Sequence, residues 1–516
     1  MQRGPALHLS VTVFAAGAVV LVLEILGARV LAPFLGSSSY VWSALISVTL
    51  LSLAVGYRWG GALADRGEPL VWLSRLLVAA GWLVVLVPYA RRWVLPAAWG
   101  LGIRTGALAA AAALFAPALI LLGTVAPLAA KGAVADLGTL GGRVGGLYAL
   151  STVGSLAGAL LAGYVLIPVA GVTRIFLGAA LALFLPALAF REGGGPGRRW
   201  RRAAAVAGTL AALAGILRHD TLPAGKPGDG WTMLDREDSR YGEIKVVQYN
   251  TVRILLLDGT LQTGVELTSG ASSFPYAAAV PALLFGARPD ARRILVVGLG
   301  GGAICEAFAD AGARVDAVEI DPAVAGVARR FFLRRSDPAI MLEDGRTFLR
   351  RTAPGTYDAI FLDAYAGEAP PAHLFTREAL GLLKTALAPG GIGVANLIAF
   401  PSGPRARLAR CVGVTLKSVF PWVEARAVEK GDGVMNVIYL FGDRPRRLDR
   451  LAPVRVHPQV APYLAGLLAR QVNLDGPDAF VLTDEFAPVE AMNLAAREAT
   501  RYNMRAIFGP VTWLLL

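Results

Sequence analysis

The sequence predicts a multi-span α-helical membrane domain, then a small β-sheet subdomain and a doubly wound α/β domain. Three observations support this fold class. Of the 516 residues, 55% are hydrophobic and only 17% are charged, which is more apolar residue than a water-soluble protein needs. Six long apolar segments come first. From Ile294 onward, short apolar runs alternate with stretches of helical character, as in a parallel sheet covered by helices.

Each of the six apolar segments approaches the ~20 residues that a helix needs to cross a bilayer. They are 8–31, 41–63, 70–89, 106–128, 145–168 and 172–190. A seventh segment, 203–217, is rich in alanine and would reach only ~22 Å as a helix. It either crosses barely or lies at the membrane interface. The first segment lacks a small-residue cleavage site, so we expect a retained helix.

The chain is strongly basic, with a net charge of +13 and a pI near 10.0. Its arginines cluster beside apolar segments, as in RRW from Arg91 and GRRWRR around Arg198. Basic loops that stay in the cytoplasm and contact anionic lipid headgroups explain this pattern better than a nucleic-acid surface does. We therefore expect the lipid bilayer as a partner and no nucleic acid.

The distribution of lysine and arginine favours an N terminus inside the cell. Six crossings then place the C-terminal domain in the cytoplasm, on a bacterial-type inner membrane, whereas a seventh crossing would place it outside. We expect the cytoplasmic arrangement, because the ligand inferred below is made there. The predicted parts are membrane helices at 1–220, a linker at 221–230 containing PAGKPGDG, a β subdomain at 231–285, the α/β domain at 286–450 and an extension at 451–516 that packs on the α/β or membrane domain.

Strand signals fill the middle of the chain. YGEIKVVQYNTVRILLLDG alternates with strand periodicity and predicts a small antiparallel sheet. Five further runs predict the strands of the larger sheet: ILVVG, RVDAVEI, AIMLED, YDAIFLD and GIGVANL. Ligands bind at the carboxyl ends of such strands. The first run ends in a glycine loop and the next three end in the acids Glu319 and Asp321, Glu343 and Asp344, and Asp363.

This order of glycines and acids points to an adenosine ligand. Gly298, Gly300 and Gly302 let the backbone approach the ligand closely, and Glu319, about twenty residues on, can accept both ribose hydroxyls. A dinucleotide site would share these features. Asp344 favours an adenosine that bears a sulfonium, because a carboxylate there can accept from the adenine amino group. For each acid, the alternative is simple capping of a helix N-terminus.

The sequence gives no sign of a metal or disulfide site. The two cysteines, Cys305 and Cys411, lie far apart, and the four histidines include no HExxH motif. We therefore expect no metal and no tightly bound cofactor.

Several motifs together resemble the spermidine synthases, the polyamine aminopropyltransferases. They are LLLDGTLQTG at 255–264, VVGLGGG, AVEIDPAV, LEDGRTFL and YDAIFLDAYAGEAPPAHLFT. EILGARVLAPFLGSSSYVW, GGALADR and LYALSTVGSLAGALLAGYVLIP resemble the integral-membrane form fused to such a domain. The resemblance implies a Rossmann-like, SAM-methyltransferase-type fold. It also implies transfer of a three-carbon chain from decarboxylated S-adenosylmethionine (SAM), with release of 5'-methylthioadenosine.

The resemblance assigns roles by position. Gln262 would contact the donor's tail, Glu319 the ribose and Asp344 the adenine amine, while Asp363 would be the catalytic carboxylate that orients the acceptor amine and helps to remove its proton. Tyr365 and His373 complete the candidate catalytic set. The candidate donor-binding set is Tyr241, Gln262, Gly298, Gly300, Gly301, Gly302, Glu319, Ile320, Asp344 and Gly345.

Departures from the family pattern fall on the amine-recognising side. Gly301 replaces an acid of the glycine loop, Ala366 replaces the second acid after Asp363, and Phe274–Tyr276 replaces Tyr-His-Glu. Cationic amines need carboxylates to offset their desolvation. Without an acid at Gly301, the carboxylate of intact SAM meets no like charge there, so SAM becomes a candidate donor beside its decarboxylated form. The candidate acceptor-side residues are Tyr276, Asp484 and Glu485.

Other candidates have a structural alternative. His373 is either a general base in a lid or a packing histidine at a helix start. Asp484 and Glu485 either replace missing acceptor carboxylates or form a solvated turn. Glu24, within the first apolar helix, is either functional or a structural partner of Arg29.

Three functions remain open from the sequence. The first is a transferase that moves the three-carbon chain to a small-molecule amine, or to the donor's own amine or carboxylate. The second is a methyltransferase that releases S-adenosylhomocysteine. The third is a transporter or sensor whose nucleoside-binding domain is not catalytic. The oligomeric state is open, with a homodimer among the options.

Overall fold

A computed structural model describes residues 4–133, 140–190, 196–217, 230–365 and 367–515. The chain divides into two compact units. The first contains the helices up to Leu217 together with Asp238–Gly242 and 511–515, and the second contains the rest of the described residues up to Pro510. Of the predicted linker 221–230, residues 221–229 lie outside the described residues, and Gly230 directly precedes the first strand.

Before residue 218, the described residues of the first unit form helices joined by short turns. Its helices are α1 (Gly4–Leu35), α2 (Ser39–Asp65), α3 (Pro69–Trp99), α4 (Gly102–Gly123), α5 (Val125–Ala133), α6 (Leu140–Leu160), α7 (Ile167–Ala189) and α8 (Pro196–Leu217). A π-helical segment, Leu161–Leu166, joins α6 to α7.

Within the described residues, six helical stretches are long and apolar enough to cross a membrane. They are Leu7–Leu35, Ser39–Asp65, Pro69–Trp99, Gly102–Ala133, Gly141–Leu166 and Val169–Ala189. They coincide with the six segments predicted from the sequence. Among the described residues, α8 falls outside this set. It extends the predicted segment 203–217 backwards through the basic run GRRWRR, because arginine is a good helix former.

Glycines on α6 bring its backbone against α1. A Cβ atom on Gly154 would lie 2.2 Å from the carbonyl oxygen of Phe14, and one on Gly158 would lie 2.3 Å from that of Ala18. Helices in lipid associate through such close backbone packing, since apolar side chains gain little by leaving lipid. Any side chain at either glycine would force α1 and α6 apart.

A four-stranded sheet opens the second unit. Its strands, in spatial order, are β1 (Trp231–Asp238), β2 (Glu243–Tyr249), β3 (Val252–Leu257) and β4 (Thr260–Glu266). The β2–β3 and β3–β4 pairs are antiparallel. The sequence predicted β2 and β3, while β1 and β4 lie outside the predicted segment.

A seven-stranded mixed sheet forms the centre of the second unit. Its strands are β5 (Arg293–Val297), β6 (Arg314–Glu319), β7 (Ala339–Leu342), β8 (Tyr357–Leu362), β9 (Leu387–Ala399), β10 (Trp422–Ala427) and β11 (Met435–Gly442). The spatial order is β10-β11-β9-β8-β5-β6-β7. Strands β5 to β9 pair in parallel, and β11 pairs antiparallel with β9 and β10. The predicted Rossmann-like, methyltransferase-type fold is therefore confirmed, although β10 and β11 were not predicted.

The remaining helices surround this sheet or follow it. They are α9 (Pro275–Ala287), α10 (Ala303–Asp310), α11 (Pro322–Val327), α12 (Gly345–Arg351), α13 (Arg377–Ala386), α14 (Arg407–Lys417), α15 (Ala461–Leu464), α16 (Val489–Met492) and α17 (Leu494–Phe508). Successive residues of β5 enter two different hydrophobic clusters: Leu295 and Val297 one, Ile294 and Val296 the other. The sheet is thus buried on both faces, which explains why its parallel strands read as continuous apolar runs.

Candidate active site

The glycine loop after β5 lies directly against the end of β8. Gly298 has a φ of +97°, and a Cβ atom there would stand 2.3 Å from the carbonyl oxygen of Asp363. Only glycine combines this backbone conformation with so close an approach. Gly300 and Gly302 also adopt left-handed conformations. The loop and Asp363 therefore share the carboxyl edge of the sheet, as predicted for a ligand site in this fold.

Gly301 contacts the small sheet through Thr263 of β4. Its N–H donates to the Thr263 hydroxyl at 2.9 Å. A Cβ atom on Gly301 would lie 2.7 Å from the Thr263 methyl carbon. Gly301 does not share the left-handed conformation of its neighbours, so Thr263, and not backbone strain, excludes a side chain here.

Glu319, at the end of β6, holds the glycine loop in place. Its carboxylate accepts the N–H of Leu299 at 3.1 Å and the N–H of Asp321 at 2.9 Å. Burial raises the pKa of Glu319, although these hydrogen bonds oppose the rise. The next residue, Ile320, is 43% exposed, and Leu342 at the end of β7 is 55% exposed. Two apolar side chains therefore stand exposed at the same edge as the acids.

Asp344 caps helix α12 and also binds His373. One carboxylate oxygen accepts the N–H of Thr347 at 2.9 Å, which is the capping geometry. The other lies 2.9 Å from Nε2 of His373. Burial acts to raise the pKa of Asp344, but the Thr347 and His373 hydrogen bonds outweigh it, so the pKa falls below its ordinary value. Gly345 follows, where a Cβ atom would lie 2.5 Å from Cγ1 of Val297.

Asp363, after β8, is the centre of a hydrogen-bonded cluster. It accepts the side-chain amide of Asn396 at 2.8 Å and a hydrogen bond from the Tyr276 hydroxyl. The Asn396 side chain is itself held by Nδ2 of Asn436 at 3.0 Å. Burial raises the pKa of Asp363 to about 6, against the lowering effect of Asn396 and Tyr276. The residue as a whole keeps partial exposure.

The two tyrosines of this cluster stay protonated. The Tyr365 hydroxyl accepts the N–H of Ile398 at 2.7 Å, and burial raises its pKa above the ordinary value. Burial and the nearby Asp363 likewise raise the pKa of Tyr276. Tyr276 can therefore only donate to the Asp363 carboxylate. Ala366, which stands where the family pattern has its second acid, lies outside the described residues.

Asp484 is joined to the α12 side of the site rather than to the Asp363 cluster. It accepts from Nη1 of Arg346 at 2.7 Å and from the Thr376 hydroxyl at 2.7 Å. Arg346 also donates to the carbonyl of His373 at 3.3 Å. The Arg346 hydrogen bond, followed by that of Thr376, lowers the pKa of Asp484 to about 2. Glu485 is exposed beside it.

The remaining predicted residues have other surroundings. Tyr241 is 55% exposed in the turn between β1 and β2, and Gln262 is half-buried on β4. In the helical unit, Glu24 has a side-chain hydrogen bond with Thr49, a partner that the sequence did not suggest. Across the described ranges, no three His, Cys, Asp or Glu side chains group as metal ligands.

Comparison with known proteins gives this geometry a family. Residues 274–397 match the Spermine/spermidine synthase domain. A polyamine aminopropyltransferase of Vibrio vulnificus (strain CMCP6) is 28% identical over 284 residues, which cover 51% of this chain and 91% of that protein. The chain carries a spermine/spermidine synthase domain. Its homology to polyamine aminopropyltransferase and spermidine synthase supports a transferase of this type.

Two further similarities extend this comparison. Putrescine N-methyltransferase 3 of Nicotiana tabacum is 30% identical over 180 residues, or 32% of this chain and 46% of that protein. The crystal structure of a probable spermidine synthase from Corynebacterium glutamicum ATCC 13032 aligns with 23% identity and a TM-score of 0.38, over 47% of this chain and 96% of that one.

Sequence reasoning missed several residues of the synthase domain's site. Asn396 is 2% exposed within an otherwise apolar strand, and a polar residue in such a run is itself a signal, since buried polar groups need partners. Thr263 and Arg346 gave no such signal. Their partners, Gly301 and Asp484, are distant in sequence, so only the fold brings them together.

Proposed function

We propose that the chain is a membrane-embedded, spermidine-synthase-like transferase that transfers or cleaves the three-carbon chain of decarboxylated SAM or SAM and releases 5'-methylthioadenosine. The observation that carries this proposal is the environment of Asp363. A carboxyl group whose pKa burial raises to about 6, held by Asn396 and Tyr276 at the carboxyl edge of the sheet, suits proton removal from an attacking amine.

Asp363 alone can accept the proton that the aminopropyl-transfer reaction releases. The lone pair of a neutral amine attacks the propyl carbon bound to the sulfonium, and the carbon–sulfur bond breaks. Its electron pair stays on sulfur, which becomes the neutral thioether of methylthioadenosine. The amine's proton leaves to the Asp363 carboxylate. A base whose pKa lies near the working pH is both ionised and able to hold the proton.

The nucleoside is proposed to lie over the ends of β6 and β7. The Glu319 carboxylate faces the glycine loop, where ribose hydroxyls would meet it. The exposed side chains of Ile320 and Leu342 would offer apolar contact to the adenine ring. Asp344, already fixed by Thr347 and His373, would accept from the adenine amino group.

The identity of the donor depends on the Gly301–Thr263 contact. Thr263 occupies the space of a side chain at position 301, so the loop presents a hydroxyl and a methyl group there instead of an acid. The carboxylate of intact SAM would meet no like charge from this position. This supports SAM as a donor beside the decarboxylated form, with a small-molecule amine or the donor's own amine or carboxylate as nucleophile.

A second candidate is methyl transfer to an amine, with release of S-adenosylhomocysteine. The observation that favours it is the 30% identity to putrescine N-methyltransferase 3. The chemistry differs only in which carbon on the sulfonium is attacked. A small rotation of the bound donor would place the methyl carbon, rather than the propyl carbon, before the nucleophile.

The helical unit supports membrane embedding. Six helical stretches among the described residues have the length and hydropathy of membrane spans, and the glycine-mediated packing of α1 on α6 is typical of helices in lipid. With six crossings and the basic loops inside, the synthase domain would face the cytoplasm.

Product analysis tests the proposal. Purified full-length protein is incubated with SAM or decarboxylated SAM, with and without putrescine, and the nucleoside product is identified by mass spectrometry. Methylthioadenosine supports the first candidate, and S-adenosylhomocysteine supports the second. Nucleoside binding with neither product contradicts both.

A further inference from the structure

A buried ion cluster ties the C-terminal helix α17 to the loop after Asp363. Arg497, Arg501 and Glu368 are 1%, 3% and 6% exposed. Nε of Arg497 lies 3.5 Å from Oε2 of Glu368, and Arg501 pairs with the other oxygen of the same carboxylate. Glu368 is only five residues beyond Asp363. The cluster therefore fixes the far end of the catalytic loop.

Arg501 also reaches a second part of the site. Its Nη2 donates to the Thr260 hydroxyl and to the Asp258 carbonyl, both at 3.3 Å. Asp258 lies in the turn between β3 and β4, and Thr260 is the first residue of β4, just before Gln262 and Thr263. One guanidinium thus bridges the catalytic loop and the hairpin that carries the predicted donor-tail residue.

The turn that Arg501 contacts is itself well defined. Asp258 adopts a left-handed conformation with φ of +46°, and its carboxylate accepts the N–H of Glu243 at 2.9 Å. At the other end, the side-chain amide of Asn493 donates to the carbonyl of Glu368 at 3.1 Å. Hydrogen bonds therefore hold both Asp258 and Glu368, the two points that Arg501 bridges, and the guanidinium can set the distance between them.

Stability alone is a weak reason for this arrangement. Buried ion pairs often gain no more than well-packed apolar residues would, because both charges lose their hydration. A guanidinium has a rigid fork of donors that can satisfy several acceptors at fixed angles. Such geometry suits a positional role, in which one side chain must hold two segments at once.

We propose that Arg501 is a positioning residue that aligns the Asp363 loop with the β3–β4 hairpin. This inference rests on the proposed function, since it assigns the two segments to nucleophile and donor tail. The reacting carbon must lie in line between them. A misplacement of about 1 Å can cost as much as ~100-fold in rate.

The test compares two conservative changes with a matched control. Arg501→Lys keeps the charge but cannot satisfy Glu368, Thr260 and Asp258 together. Glu368→Gln keeps the volume and weakens the same link from its other end. Arg505→Lys makes the identical arginine change one turn later, at an exposed position of α17. For each variant of the full chain we would measure the melting temperature, kcat, donor KM and the affinity for methylthioadenosine.

A positional role predicts that kcat per folded molecule falls at least ~10-fold in Arg501→Lys and Glu368→Gln, within the range for lost orientation. Methylthioadenosine affinity stays within ~2-fold, because its proposed contacts, Glu319 and Asp344, lie at the ends of β6 and β7 and not in the two segments that Arg501 links. Arg505→Lys matches the wild type. A lowered melting temperature with unchanged kcat would overturn the proposal, since that is the signature of a purely structural pair.

Hydrogen–deuterium exchange separates this inference from the proposed function. We expect the peptides covering 363–371 and 258–264 to exchange faster together in Arg501→Lys, and not in Arg505→Lys, whatever reaction the wild type catalyses. If the wild type releases no nucleoside product, the proposed function fails while this measurement still decides the link. Unchanged exchange in both peptides would overturn the link itself.

Discussion

Replacing Asn396 by leucine removes the amide that donates to Asp363 at 2.8 Å while keeping most of the side-chain volume. A hydrogen bond to a charged group contributes ~1.5–3 kcal/mol, and one pKa unit corresponds to ~1.4 kcal/mol. Loss of this bond therefore raises the pKa of Asp363, already about 6 through burial, by roughly 1–2 units. The carboxyl group of Asp363 becomes harder to ionise, because the Asn396 hydrogen bond no longer offsets the cost of desolvating the charged form.

The assay is the pH dependence of kcat. The base must be ionised, so activity is lost as pH falls through its pKa. Wild type should lose activity near pH 6 and Asn396→Leu near pH 7 to 8. At pH 7 the ionised fraction falls from ~90% to between ~50% and ~10%, a loss of about 2- to 10-fold that is recovered at pH 9.

Asn436→Leu is the matched control. Asn436 contacts Asn396 rather than Asp363, so its loss should move the acid limb by less than ~0.5 units. Equal loss of activity for Asn396→Leu at every pH would refute the reasoning, because it would show that the amide acts on geometry and not on the ionisation of Asp363.

Three further outcomes follow from the same contacts. The double change Thr263→Ala and Gly301→Asp makes room for an acid in the glycine loop. The ratio of kcat/KM for decarboxylated SAM to kcat/KM for SAM should then rise by ~10-fold or more, which is equivalent to ~1.4 kcal/mol of repulsion. An unchanged ratio would place the donor's tail elsewhere. His373→Gln removes the partner of Asp344 and should raise donor KM several-fold with kcat retained, whereas a kcat loss near ~100-fold would instead identify a general base. A reporter that works only in the cytoplasm should be active when fused to the C terminus, and a reporter that works only outside the cell should be inactive there. Activity of the second reporter would mean that α8 crosses the membrane.

The sequence predicted those parts of the fold whose physical signal is local. Strands β5 to β9 are buried on both faces, so each appears as an apolar run, and their carboxyl ends appear as glycine or acid. Strand β10 has no such run. It lies at the edge of the sheet, where Glu424 and Arg426 pair with each other, and its polar residues hide the periodicity. The β4 strand was missed because glycine and threonine interrupt its apolar pattern.

The candidate acids of the site could be predicted from the sequence because each of them follows the carboxyl end of a single strand. Glu319, Asp344 and Asp363 follow from that rule, and the structure brings Asp363 together with Tyr276 and Tyr365. The contacts that adjust these acids were not predictable. Asn396 approaches Asp363 because β9 lies beside β8.

Long-range partners leave even less trace in the sequence. Arg346 meets Asp484 across 138 positions, and Arg501 meets Thr260 across 241. Asp344 caps α12 and Glu319 holds the glycine loop through Leu299, so both acids have a structural role, and their ligand roles stay a prediction.

The most direct test of the central claim is the Asp363→Asn variant. The change keeps the size of the side chain and removes its ability to accept a proton. We predict that release of methylthioadenosine from SAM or decarboxylated SAM falls by at least ~100-fold, the usual contribution of a positioned base, while methylthioadenosine still binds with near wild-type affinity. Wild-type turnover in this variant would contradict the assignment of Asp363 as the group that removes the proton.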